Sequence, residues 1–209
     1  MVLDEGIDLA AVSKIAKPFD LQMWMMQNMM RAKPSAFIPY VRSMKSRFNG
    51  NIFKTSTGGN LRTNEGVAAV QEYENFLRNA RPVQQMKWSD GLMKACYDHV
   101  KDTGPSGATG HTGVDGSTMS TRIARYMKWE RTAGENIMYT SNSPLQVLTD
   151  LAVDDGVSSR GHRRNIFQGK FAYVGIYTGP HKTYGRQTVL DYSGSYTNFN
   201  FQGPKLQIP

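Results

Sequence analysis

At 209 residues, with 39% hydrophobic and 11% aromatic residues, the chain can bury one sizeable core. No run of about eighteen apolar residues offers a membrane-spanning helix. Its 25 Lys and Arg against 17 Asp and Glu leave a net charge of +8, which favours an acidic partner over a basic one. The lone Cys96 excludes an internal disulfide framework.

Residues 1–8 are acidic and the apolar stretch after them is short, unlike a secretory leader with its basic start. With Cys96 unpaired, this sets the expectation of an intracellular, cytoplasmic protein. Residues 1–19 show little periodicity and read as an arm that ends at Pro18. A methionine-rich helix is expected over residues 21–31, with Asp20 as its cap. Pro34 can open a second helix carrying Phe37, Ile38, Val41 and Met44. Residues 49–62 are rich in turn formers and read as a loop. Thr63 is expected to cap a helix striped by Val67, Val70, Tyr73, Phe76 and Leu77, which stops by Arg81-Pro82.

Charge is unevenly placed along this first third. Between Leu21 and Asn64 lie Arg31, Lys33, Arg42, Lys45, Arg47, Lys54 and Arg62, with no acidic residue. Such a basic face fits an acidic protein lattice best, for example the surface of a microtubule. An anionic membrane is the second choice. Nucleic acid is the weakest, because no RRM, zinc-finger or helix-turn-helix pattern accompanies the charge.

Ser89 is expected to cap a helix over residues 90–101. His99 falls on its apolar face with Leu92 and Cys96, the place of a packed core histidine. Residues 103–120 are dense in Gly, Ser, Thr and Pro and read as a structured loop with His111 at its middle. Residues 121–129 read as a helix with Ile123, Tyr126 and Met127 inside, and Arg122, Arg125 and Lys128 outside. Glu135 stands at an element boundary. Ser143-Pro144 starts another helix, and Asp154 and Asp155 leave its C-terminal end, where the helix dipole disfavours carboxylates. Two acids in that place imply a compensating cation or a hydrogen-bond role. Residues 172–177 and 187–192 alternate as strands of an antiparallel hairpin, and a polar, aromatic tail follows. Helices first and antiparallel strands last make an α+β fold.

Two histidines and several carboxylates on separated loops could meet as a metal site, since imidazole suits zinc or copper. Two histidines alone bind weakly and need carboxylate support. No GxSxG elbow, P-loop or dinucleotide fingerprint is present.

Three stretches carry a resemblance. Gly110-His111-Thr112-Gly113, Gly134-Glu135-Asn136-Ile137 and Gly161-His162-Arg163-Arg164-Asn165-Ile166 resemble the successive motifs of the CAP superfamily, also called SCP-like. The lead-ins Lys87-Trp88-Ser89-Asp90-Gly91-Leu92 and Asp154-Asp155-Gly156 look like those of disulfide-free microbial and protist members. The resemblance implies a CAP-type α-β-α sandwich with an antiparallel sheet over residues 20–194, an arm at 1–19 and a tail at 195–209. It also implies a central cavity lined by two histidines and two acids. His111, Glu135 and His162 match three of these positions, and Asp154 or Asp155 stands nearest to the fourth. By the same resemblance His111 and His162 could hold zinc or another divalent ion, although no cofactor is required. The family has no agreed reaction, and lipid binding and protein interaction recur in it. The expectation is therefore a non-enzymatic structural or interaction module, placed in a cytoskeletal or axonemal microtubule assembly such as that of a cilium. Binding to an anionic membrane or lipid is the alternative. A zinc-dependent hydrolase with Glu135 as general base is the least favoured.

Overall fold

A computed structural model gives the fold, and residues 7–55, 58–140 and 143–198 are described. The architecture rests on a four-stranded sheet made by β4 (Lys87–Trp88), β5 (Met127–Tyr139), β6 (Tyr173–His181) and β7 (Gly185–Asn198), in the order β4-β6-β7-β5. β6 and β7 form the expected antiparallel hairpin, with Tyr173 opposite Ser193 and His181 opposite Gly185. β5 pairs antiparallel with β7 along its length, interrupted by a bulge between Glu130 and Ala133, where Arg131 takes φ 68°. The short β4 runs parallel to β6, so the sheet is antiparallel except at that edge.

Alternation along the strands sends side chains to opposite faces, and each face receives a helical layer. Val174, Ile176, Leu190 and Tyr192 face the core built with α2 (Pro18–Ala32), α7 (Pro144–Val153) and α8 (Gly161–Phe167). α3 (Ile38–Lys45) and α4 (Val67–Asn79) extend that layer. Ile137, Tyr177 and Val189 face α5 (Asp90–Ser106) on the other side, and α6 (Met119–Ala124) covers the end of β5. This is an α+β fold, an α-β-α sandwich.

Several elements differ from the sequence reading, each for a local reason. α2 begins at Pro18 with Lys17 as its cap residue, because proline's fixed φ suits the first helical position. Asp20 is therefore not a cap. It lies buried, accepts the Thr178 amide at 3.2 Å, and burial pushes its carboxyl up to about 6. The arm contains a short helix, α1 (Leu9–Val12), whose Val12 packs into the main core. Residues 49–62 are not simply a loop: β1 (Phe48–Asn49), β2 (Ile52–Lys54) and β3 (Asn60–Arg62) form a small antiparallel sheet. α4 starts after Gly66, while the Thr63 hydroxyl donates to the Asn51 carbonyl. Val67 consequently sits at the exposed start of the helix, and the rest of the stripe turns inward.

α5 runs five residues beyond the expected end and closes on Gly107 in the left-handed region. Residues 103–106 thus leave the loop. The helix of residues 121–129 begins earlier, at Met119, and ends at Ala124; Met127 to Trp129 belong to β5. β7 carries residues 195–198 of the expected tail, and residues 199–209 lie outside those described.

α5 lies so close to β6 that Gly175 has no room for a side chain. A Cβ there would stand 2.0 Å from the Met93 nitrogen and 2.3 Å from the Leu92 carbonyl carbon. Backbone cannot yield as a side chain can. Gly175→Ala should cost about 1–3 kcal/mol in urea unfolding, the range of overpacked cores; an unchanged midpoint would show that α5 does not sit on β6 at this distance.

Candidate functional site

β5 is an edge strand, and the residues singled out in the motifs meet around it as two histidine–carboxylate pairs. Glu135 lies in mid-strand, not at an element boundary, and its side chain is almost wholly buried. One oxygen meets His111 Nδ1 at 2.7 Å, and the other accepts from Arg122 Nη2 at 2.6 Å. His111 comes from the loop between α5 and α6, and its ring is the exposed partner. Arg122 comes from α6 and has no exposed side-chain surface. Its Nη1 also donates to the Ser117 carbonyl at 3.0 Å and the His111 carbonyl at 3.2 Å.

Arg122 was expected to face solvent. It is buried because Glu135 and the carbonyls of His111 and Ser117 accept from its guanidinium; the Thr118–Thr121 capping box also starts α6 two residues early. Arg122 is the residue of this site that the motifs do not mark.

Burial alone would push the Glu135 carboxyl upward, but the hydrogen bond from His111 and the Arg122 charge outweigh it and hold the carboxyl below its usual range. The same hydrogen bond raises His111 above 6.5, against partial desolvation. Directly across from Glu135 on β7 lies Asp191, fully buried, with neither carboxyl oxygen in hydrogen-bonding geometry. Burial, with the Glu135 charge beside it, pushes the Asp191 carboxyl well above the carboxylate range. His99 packs behind the pair, bonded through Nε2 to the Gly110 carbonyl at 2.9 Å, and desolvation lowers its pKa. It is a core histidine, as its position on α5 implied.

The second pair is His162 with Asp154. His162 is the second residue of α8; its Nδ1 lies 2.6 Å from Asp154 Oδ1, and its amide donates to Asp154 Oδ2 at 2.9 Å. Asp154 caps α7 in the left-handed region at φ 58°, which turns its carboxylate away from the unfavourable end of α7 and onto the free amide of α8. Asp155 does not join the pair. It accepts the Asn64 and Glu65 amides at 2.6 and 2.8 Å, tying the start of α4 to this loop.

The arginines around His162 do not pair with the side chains of Asp154 or Asp155; Arg160 donates to the Asp154 carbonyl. Arg160 forks onto Glu65 and Glu72, each within 2.6 Å, and Arg163 meets Glu72 at 2.8 Å. Both glutamates come from the α4 region, which the motif spacing does not include.

Asn136 and Asn165 join the two halves. Asn165 donates to the Glu135 carbonyl at 3.3 Å and to Asn136 Oδ1 at 2.8 Å, while Asn136 donates to the His162 carbonyl at 3.1 Å. The asparagines of the second and third motifs therefore stitch β5 to α8. A family model described as the cysteine-rich secretory protein family, CAP, matches residues 71–192, more than half of the chain. The chain belongs to the CAP family.

Solved structures match at low identity. An outer surface protein from Borrelia burgdorferi is 15% identical, with a TM-score of 0.45 over 53% of this chain and 78% of that one. An extracellular SCP-domain protein from Bacillus anthracis str. Ames is 19% identical, with a TM-score of 0.42 over 59% of this chain and 38% of its own. BmVAL-1 is 10% identical, with a TM-score of 0.42 over 87% of this chain and 79% of that one. No curated protein matches the chain.

The CAP resemblance raised a metal held by His111 and His162, and the donor set does not fit one. A carboxylate on each Nδ1 is the support a ligating histidine uses. Yet among the described residues no three His, Cys, Asp or Glu side chains converge on one point. Two imidazoles without a third protein ligand make a weak site.

What the first pair does is hold a buried charge. Because the folded pKa of His111 is raised, its contribution to stability is complete below pH 6.5 and is lost as pH rises through the folded value. Glu135→Gln should return the His111 titration, followed by NMR, to about 6.5 or lower. The same change should cost about 3–5 kcal/mol by leaving Arg122 buried and unpaired. Titration of His111 at about 6.5 in the unaltered chain would contradict the pairing.

Proposed function

We propose that this CAP domain works as a non-enzymatic binding module inside the cell, its core a rigid scaffold and its basic N-terminal surface the contact with an acidic protein assembly such as a microtubule lattice. The observation that carries this reading is the set of unneutralised cations on and beside the segment from α3 to β3. Lys33, Lys54 and Arg62 are exposed and make no ion pair among the described residues. The surface is smaller than the sequence suggested. Arg31 is fully buried and spends its guanidinium on the carbonyls of Gln84, Ile166, Gln168 and Phe171, while burial pulls its pKa down to about 10. Arg42 and Lys45 share Glu74 with Arg78, three cations on one carboxylate. Arg47 stacks over Phe53 at 4.4 Å from the ring centre.

The commitment of Glu135 and Asp154 to internal histidine pairs supports the same reading, since neither carboxylate is free to act as a general base. The single cysteine fits a reducing compartment.

Co-sedimentation with stabilised microtubules tests the reading. The chain should bind and weaken steeply between about 50 and 200 mM salt, as contacts between exposed charges do. The triple change Lys33→Glu, Lys54→Glu, Arg62→Glu should abolish binding while leaving the unfolding midpoint within about 0.5 kcal/mol, because surface changes of this kind seldom disturb the fold. Unchanged binding by the triple variant would overturn the placement of the surface.

A further inference from the structure

The small sheet of β1, β2 and β3 does not lie flat on the sandwich. Between it and the end of β5 and α7 is a cleft of about 360 Å³, within the size of small-molecule sites. Phe48, Phe53 and Leu61 form the wall on the sheet side, and Met138, Leu151 and Val157 form the opposite wall. Among the charged side chains in the lining, the acidic ones outnumber the basic. Asp150, Asp154 and Asp155 line the cleft against a single permanent cation, Arg62.

Two of the three carboxylates are already committed: Asp154 to His162 and its amide, Asp155 to the amides of Asn64 and Glu65. Asp150 is different. Its Oδ1 accepts from Gln146 Nε2 at 2.5 Å, and Gln146 in turn accepts from the Tyr40 hydroxyl at 3.0 Å. No other side chain meets Asp150 by hydrogen bond among the described residues, and its remaining accessible surface opens on the cleft.

We propose that this cleft binds a small cationic amphiphile, an amine on an apolar chain, with the ammonium on Asp150 and the chain between the two apolar walls. Charge complementarity selects the class. An anionic amphiphile would meet three aspartates against one arginine, and a neutral one would leave the ionised Asp150 with only the Gln146 hydrogen bond and the Arg47 charge to offset its burial. Arg62 is shared with the proposed acidic-partner surface, but the assignment of the cleft does not rest on that reading.

The groups facing Asp150 also set its pH response. Burial pushes its carboxyl up to about 7, opposed by the Gln146 hydrogen bond and the Arg47 charge. Tyr40 lies on the same side, with its own pKa raised, and so stays neutral. Arg62, Asp154, Asp155 and His162 share the cleft. An ammonium is therefore held best above about pH 7, where Asp150 is ionised.

Isothermal titration calorimetry with decylamine, decanol and decanoate, below their micelle concentrations, tests the assignment on the full chain. At about pH 8 decylamine should bind at least about tenfold tighter than decanoate. Its affinity should fall by about tenfold at about pH 6 as Asp150 gains its proton, since the amine keeps its charge at both values. Asp150→Asn keeps the shape and the Gln146 contact; it should erase the preference for the amine and leave decanol binding intact. Leu61 is 53% exposed, so Leu61→Trp can fill the mouth without burdening the core, and it should weaken all three probes. Equal or tighter binding of decanoate at the higher pH would overturn the proposal. So would an amine preference that survives Asp150→Asn, heats unaffected by Leu61→Trp, or no binding of any probe.

Discussion

A carboxylate taken out of water must be met by donors at every oxygen, and Glu135 is the place where this chain meets that demand. It sits in the middle of an edge strand and faces the α5 layer, where bulk solvent cannot help. His111 and Arg122 supply the donors, one from a loop of glycines and hydroxyl residues, the other from a six-residue helix. The loop has little apolar surface, whereas α6 also packs Ile123 against Leu92, Ala95 and Met127. The Arg122 guanidinium goes on to fix the loop through two of its carbonyls. Asp191 lies opposite Glu135 on β7, and burial with the neighbouring Glu135 charge disfavours its ionised form.

The same device appears on the other side of β5 in a milder form. Asp154 leaves α7 in a left-handed turn and gives both oxygens to His162, one to its ring and one to its amide. Asn136 and Asn165 link the halves through the backbone of β5 and α8. The conspicuous histidines thus act as polar braces, added to the apolar packing of Ile123 from α6 and of Ile166 and Phe167 from α8. A chain built in this way can present a constant surface, and that is what a binding module needs.

Much of this was legible before the fold was known, where one side chain meets one neighbour at a fixed spacing. The β6–β7 hairpin showed itself by alternation and turn residues, and the Ser143-Pro144 start of α7 by its cap. The three motifs pointed to His111, Glu135 and His162, although not to the partner of each. Choosing Asp154 over Asp155 needed the left-handed turn, which decides which carboxylate swings back over α8. Arg122 and Arg31 were misplaced for a shared reason: an arginine reads as solvent-facing unless the acceptors that justify its burial are known, and those lie far along the chain. The arginines on either side of His162 found glutamates on and beside α4, beyond the reach of spacing. The small sheet was hidden because its strands are two or three residues long, too short for a period to appear.

The proposed division into a braced core and a basic contact surface is open to one direct measurement. Zero-length coupling of lysines to carboxylates, applied to the chain mixed with stabilised microtubules and read by mass spectrometry, maps which face is engaged. Cross-links are expected from Lys33 and Lys54 to the partner, with the α5 residues Lys94 and Lys101 on the opposite layer unmodified. Cross-links concentrated at Lys94 and Lys101, with Lys33 and Lys54 free, would contradict the division.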